Sequence, residues 1–243
     1  MMKLTNLMNS ILNDRDYIVK LAITAALTIF SILFTPVLIG FVGWSLLLGY
    51  QVGLARNVRQ GNPTPLPAWD NMMRFLTPGA NVLVAFLIYN IPNMFFGCGW
   101  VFIVGISGGA QIVGSTVTIA SICCLLPIIL IYNLLMLPFF ALGLGRFVEE
   151  PRLNTFFAFG QLYDSLSAHV SETVQYLAYL FGTFVIIGLL AIIPILGWAF
   201  IAALWIPITG LLNGQYARLA IGNLKPEKSK PANLAPAPHR PRR

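Results

Sequence analysis

The chain has 243 residues, of which 57% are hydrophobic and only 9% are charged. An ordinary soluble domain is about a quarter charged, so this composition excludes a soluble fold and any sizeable soluble domain beside it. The formal net charge of +7 does not point to nucleic acid, because six of the 15 basic residues lie in the last nineteen positions and the others flank apolar runs, where basic residues set membrane orientation.

All charged residues fall in four short segments, Lys3–Lys20, Arg56–Arg74, Arg146–Glu172 and Arg218–Arg243, separated by uncharged gaps of 35, 71 and 45 residues. Apolar runs of about 18 residues or more read as membrane spans. Residues 1–17 read as an amphipathic cytoplasmic N-terminus. The first apolar run starts near Ile18 and lacks a small-x-small cleavage site, so it is expected to stay as an uncleaved signal-anchor. The gap 21–55 would measure about 52 Å as one helix, against a hydrocarbon core of about 30 Å. Pro36 interrupts it. Two readings stand: a hairpin of spans 18–34 and 37–55, or one tilted helix kinked at Pro36.

The second gap predicts spans 79–97 and 117–145. Between them, 98–116 is glycine-rich, and its Trp100–Gly105 stretch is too apolar for a free loop; it either prolongs the third helix or dips back into the membrane. The third gap divides at Pro194 into spans 176–193 and 198–217. Six passes over residues 18–222 place all four charged segments on one side. The positive-inside rule makes that side the cytoplasm, with both termini inside a cell membrane. Trp69–Leu76 and Phe156–Glu172 mix aromatic and charged residues and are expected to lie flat at the interface. Residues 223–243, basic and proline-rich, predict a disordered tail with an attraction for anionic headgroups. The expected fold class is an all-α polytopic transmembrane helix bundle with interfacial amphipathic helices.

The chain offers little to catalysis. No charged residue lies in the interior of a predicted span, which counts against a carboxylate relay. His169, near Asp164 and Glu172, has no second histidine or cysteine at ligand spacing. Cys98, Cys123 and Cys124 form neither a disulfide framework nor a zinc site and read as small buried residues in spans or turns. Gly105-Ile106-Ser107-Gly108-Gly109 matches Gly-x-Ser-x-Gly in letters, but no histidine is available on its own face of the membrane, and no Gly-Lys-Ser/Thr loop occurs. No enzyme activity, cofactor or metal is expected.

Uncharged amides do occur in the spans: Asn81, Asn90, Asn93, Asn133, Asn213 and Gln215. They either bond across helices or line a polar path, for which Asn90, Asn93 and Asn133 beside Pro92 are the candidates. Gly49-x-x-x-Gly53 and Gly210-x-x-x-Gly214 mark helix contacts. The second, fourth and sixth spans each leave the membrane through glycine followed by arginine (Arg56, Arg146, Arg218), which suggests a degenerate two-helix repeat.

These residues also carry a likeness. Leu48-Gly49-Tyr50, then Ala55-Arg56-Asn57-Val58-Arg59-Gln60-Gly61, then Leu66-Pro67-Ala68-Trp69-Asp70 resembles the signature of domain-of-unknown-function family 4013, prokaryotic multi-pass membrane proteins. Asn13–Tyr17 and Gly214-Gln215-Tyr216-Ala217-Arg218 are similar too, so that the resemblance covers residues 10 to 222; Asn62-Pro63 replaces the usual acidic residue. The resemblance implies no catalytic role. The candidate interface motif comprises Gly49, Tyr50, Arg56, Arg59, Trp69, Asp70, Gly214, Gln215, Tyr216 and Arg218. Tyr50 and Trp69 suit the headgroup zone, and Arg56 and Arg59 suit phosphates. The expectation is a non-enzymatic accessory or scaffold protein that meets anionic lipid, a membrane-protein partner or a second copy, and no nucleic acid. A small transporter or channel with an amide-lined path is the alternative.

Overall fold

Proline and glycine decide where this chain turns. The computed structural model describes residue 9 and residues 11–107 and 111–224; most of the N-terminal segment, the middle of the glycine-rich connection and the tail from 225 onward, expected to be disordered, lie outside the described residues. Seven helices are present and no strand occurs among the described residues. They are α1 (Tyr17–Phe34), α2 (Gly40–Arg59), α3 (Met73–Ser107), α4 (Gln111–Glu149), α5 (Phe159–Ala168), α6 (Val170–Ala191) and α7 (Leu196–Ala220).

Residues 21–55 form the hairpin rather than the kinked helix. A single 3₁₀ turn, Thr35–Val37, carries Pro36, and Leu38 reverses the chain at φ 64°. A β-carbon at Gly40 would overlap the Ser31 carbonyl, and Gly43 faces the Ser31 hydroxyl, so glycine is what lets α2 return directly beside α1. The turn at Pro194 works similarly, with Ile195 at φ 65° and Gly197 set against the Leu190 carbonyl. Residues 98–107 prolong α3 and do not dip back. Pro78, Pro92, Pro127, Pro138 and Pro207 all sit inside helices, which neighbouring helices make tolerable in membranes.

Five helices are long and apolar enough to cross a membrane: α1, α3, α4, α6 and α7. The second of the six expected spans, α2, falls short in apolarity although it has 20 residues. Its Ser45, Gly49, Gln51 and Arg59 are buried in protein. A helix enclosed by other helices need not be apolar to be shielded, so hydropathy understates it. The most apolar windows of α1, α3, α4 and α6 are only 17% buried, against 50% for α7. The bundle therefore has α2 and α7 inside and the other four facing outward.

Two expectations change. Trp69 and Phe156, assigned to surface-lying segments, are buried at 8% and 0% exposure. Trp69 stacks on Tyr50, and the 3₁₀ turn Leu153–Phe157 is held because the Tyr89 hydroxyl donates to the Phe156 carbonyl. Only α5 keeps an amphipathic, largely exposed form, with Leu162 turned inward. The cysteines, expected to be buried, are free and exposed, Cys98 on α3 and Cys123 and Cys124 on α4.

Glycine approach is the packing device most open to test. A β-carbon at Gly79 would overlap the Ser45 carbonyl of α2, and one at Gly49 the Phe75 carbonyl of α3. Gly79→Val is expected to lower stability in detergent by about 1–3 kcal/mol through overpacking. Gly182→Ala, where nothing lies within 4 Å, should leave the melting temperature unchanged or slightly raised. Thermal melts of the purified variants check both.

Candidate functional site

The charged ends of the helices gather at one end of the bundle, and the family-like motif is concentrated there. α2, α4 and α7 all finish at this end. Glycines let them meet: Gly145 of α4 faces the Ala217 side chain, and a β-carbon at Gly214 of α7 would lie 2.9 Å from Ala55 Cα. Each helix C-terminus carries about half a negative charge from its unpaired carbonyls, so their convergence calls for a cation.

Arg59 supplies it. Its side chain is fully buried. Nη1 donates to the Gly145 carbonyl at 2.7 Å, while Nε and Nη2 donate to the Gly222 carbonyl at 3.1 and 2.9 Å. Nη2 also pairs with Glu149, whose side chain is 40% exposed. The planar five-donor fork of guanidinium suits this task, which an ammonium could not duplicate. Arg59, expected to reach phosphates, is thus enclosed as a tie between α2, α4 and the end of α7.

The rest of the motif divides between packing and surface. Tyr50 is fully buried and stacks on Trp69 with centroids 4.4 Å apart; Phe75 closes the cluster edge-on at 5.8 and 5.4 Å. The Tyr50 hydroxyl and Trp69 indole nitrogen have no hydrogen-bond partner among the described residues, so the stack itself is the contact they share. Lys20 pins the loop above it, bonding Asp14 at 2.6 Å and the Leu66 carbonyl at 3.0 Å. Asp70 pairs with Arg74 at 3.2 Å in the open. Tyr216 is buried, stacks on Tyr176 at 4.6 Å and shares a 2.7 Å hydrogen bond with Thr173. Arg218 is exposed and bonds Asn223, while the Gln215 side-chain oxygen is buried without a partner among the described residues. His169 Nδ1 lies 3.1 Å from the Ser165 carbonyl, on its own chain turn.

Arg56 differs from all of these. It is exposed and makes no hydrogen bond or ion pair with the described residues. It lines a cleft of about 410 Å³ together with Gly53, Asn57, Pro67, Arg74 and Phe75.

The candidate polar path stands apart from this end. Asn93 and Asn133 exchange two hydrogen bonds of 3.1 Å between α3 and α4, Asn93 also donates to Asn90, and Asn90 donates to the Phe86 carbonyl. These amides largely satisfy one another. The sequence reading missed the hydroxyl stripe Thr24, Thr28, Ser31 and Thr35, which bonds back to carbonyls four residues earlier and forms the inner face of α1. Its three- and four-residue spacing was the available signal.

An all-helical bundle with five apolar crossing helices and a sealed polar end is an integral membrane protein. Residues 29–199 match the family described as protein of unknown function (DUF4013), and the chain belongs to it. No curated protein and no solved structure matches the chain.

Arg59→Ala strands two carbonyls and Glu149, and is expected to cost about 3 kcal/mol. Glu149→Gln should cost under about 1 kcal/mol, because the carboxylate is part-exposed and screened. Denaturation in mixed micelles separates the two. For the amide pair, Asn93→Leu and Asn133→Leu should each destabilise, and the double variant should lose less than their sum by about 0.6 kcal/mol, read from a double-mutant cycle.

Proposed function

We propose that this chain is a non-enzymatic accessory or scaffold protein of a prokaryotic cell membrane, with its charged end in the cytoplasm and both termini inside. It works through helix packing and through contact with anionic lipid or a partner membrane protein. The positive-inside rule supports the orientation, since the basic residues of the described chain gather at one end of the bundle. The reading is further supported by the use made of the polar groups. Arg59, Lys20, Tyr216 and the Asn93–Asn133 pair are all committed to bonds within the protein.

The observation that carries the lipid contact is Arg56. A guanidinium without a partner among the described residues stands in a cleft that joins apolar walls, Gly53, Pro67 and Phe75, to the polar Asn57 and Arg74. A phosphate beside a guanidinium with hydrocarbon against apolar walls is the contact an anionic phospholipid makes at a membrane boundary. The same cleft would take an acidic segment of a partner protein by its charge alone.

Isolation of the full chain in mild detergent, with retained lipids and proteins identified by native mass spectrometry, tests the proposal. Phosphatidylglycerol or a stoichiometric membrane-protein partner should remain bound, and Arg56→Gln should reduce its retention severalfold without changing the melting temperature. Isolation of the bare chain, with phosphatidylglycerol and phosphatidylcholine binding equally when added back, would overturn it.

A further inference from the structure

Inside the bundle, away from the charged end, the helices do not close completely. A cavity of about 320 Å³ lies between α2, α3, α4, α6 and α7, within the range of small-molecule sites. It arises because the glycines that bring α2, α4 and α7 together lie near their charged ends, whereas bulky rings such as Trp44, Phe140 and Trp205 hold them apart deeper in the membrane.

The walls carry no carboxylate, amine, imidazole or guanidinium, and their polar groups come from two facing pairs. Gln51 donates to the Thr209 hydroxyl at 3.0 Å, and the Tyr176 hydroxyl donates to the Asn213 side-chain oxygen at 2.8 Å. These bonds leave over the side-chain oxygen of Gln51, an acceptor, and the amide nitrogen of Asn213, a donor. Both residues are 95% buried and line the cavity. Phe86, Leu87 and Phe184 line the cavity and are also exposed on the outside of the bundle. They mark a side opening toward lipid between α3 and α6, which scarcely touch.

We propose that this cavity binds a neutral single-chain lipid whose polar end carries a hydroxyl and a carbonyl, of the monoacylglycerol type. The hydroxyl donates to the Gln51 side-chain oxygen and the carbonyl accepts from the Asn213 amide. The chain lies along the aromatic wall and leaves through the α3–α6 opening. A charged head is excluded because nothing in the wall neutralises it. At about 30 Å³ for a water-sized group, the space holds on the order of ten such groups, which takes the polar end and the start of one chain and leaves the remainder of the chain outside the opening. The site is separate from the Arg56 cleft, so anionic lipid retained there and neutral lipid retained here are independent results.

Trp44 and Trp205 line the cavity, which gives a direct readout. Full-length protein in mild detergent is titrated with a monoacylglycerol brominated in its chain, and tryptophan quenching is followed. Saturable quenching is expected, competed by monoolein but not by dioleoyl phosphatidylglycerol or by a plain alkane. Asn213→Leu and Gln51→Leu should each weaken it about tenfold, the loss of one hydrogen bond in an apolar site. Leu83→Phe, which narrows the cavity, should abolish it with the melting temperature retained. Quenching that does not saturate, or that phosphatidylglycerol or the alkane competes equally well, overturns the proposal on the unaltered protein alone, whether or not the variants fold.

Discussion

One buried guanidinium holds the charged end of this protein together. Three helices finish side by side, and each brings carbonyls that its own hydrogen-bond ladder cannot satisfy. In water those carbonyls would be solvated; here the small faces of Gly145 and Gly214 bring the helix ends so close that solvent has little room. Arg59 replaces it, bonding α4 through Gly145, the chain beyond α7 through Gly222, and Glu149 at the rim. The close packing creates the demand for the cation, and the cation makes the close packing tolerable.

That constraint sorts the helices. α2 carries Arg59 and must stand among its partners, so it can be polar along its length and remain shielded. α7 lies beside it, meeting α2 through Gly210 and Gly214 and through the Gln51–Thr209 bond. The remaining long helices wrap this pair and present aliphatic and aromatic faces outward, as expected where the surrounding medium is as apolar as the side chains themselves. Away from Arg59, much of the interior polarity is uncharged and paired: amide with amide at Asn93 and Asn133, phenol with amide at Tyr176 and Asn213, hydroxyl with backbone along α1. The same tight closure at one end leaves space deeper in, because helices pinned together by glycines there are spread by rings such as Trp205 and Phe140 further along.

Residues 29–199 match the family, and the motif residues within that range mostly serve this architecture. Gly49 admits Phe75 and the start of α3; Tyr50 and Trp69 stack to lock the loop between α2 and α3. Arg56 is the exception, since it faces outward without a partner among the described residues. A signature can therefore hold a structural arginine and an available one only three residues apart near the end of one helix.

Spacing of charge and proline was enough to read the helical membrane class, an interruption at Pro36, the turn at Pro194 and the clustering of charge at one end, because those follow from solvation and backbone geometry acting locally. The glycine contacts were legible for the same reason: a missing side chain matters only where another backbone comes near. The sequence alone could not distinguish Arg56 from Arg59, a hairpin from a kinked helix, or a headgroup-facing Tyr50 and Trp69 from a buried stack. Each of those depends on which helix lies opposite, and a residue's environment in a bundle is set by neighbours distant in the chain. Tertiary structure decided that Arg59 is enclosed while Arg56 stands free, that α2 is shielded by protein rather than by its own apolarity, and that Gln51 and Asn213 meet across a cavity, because burial and pairing are properties of the packed helices and not of any one of them.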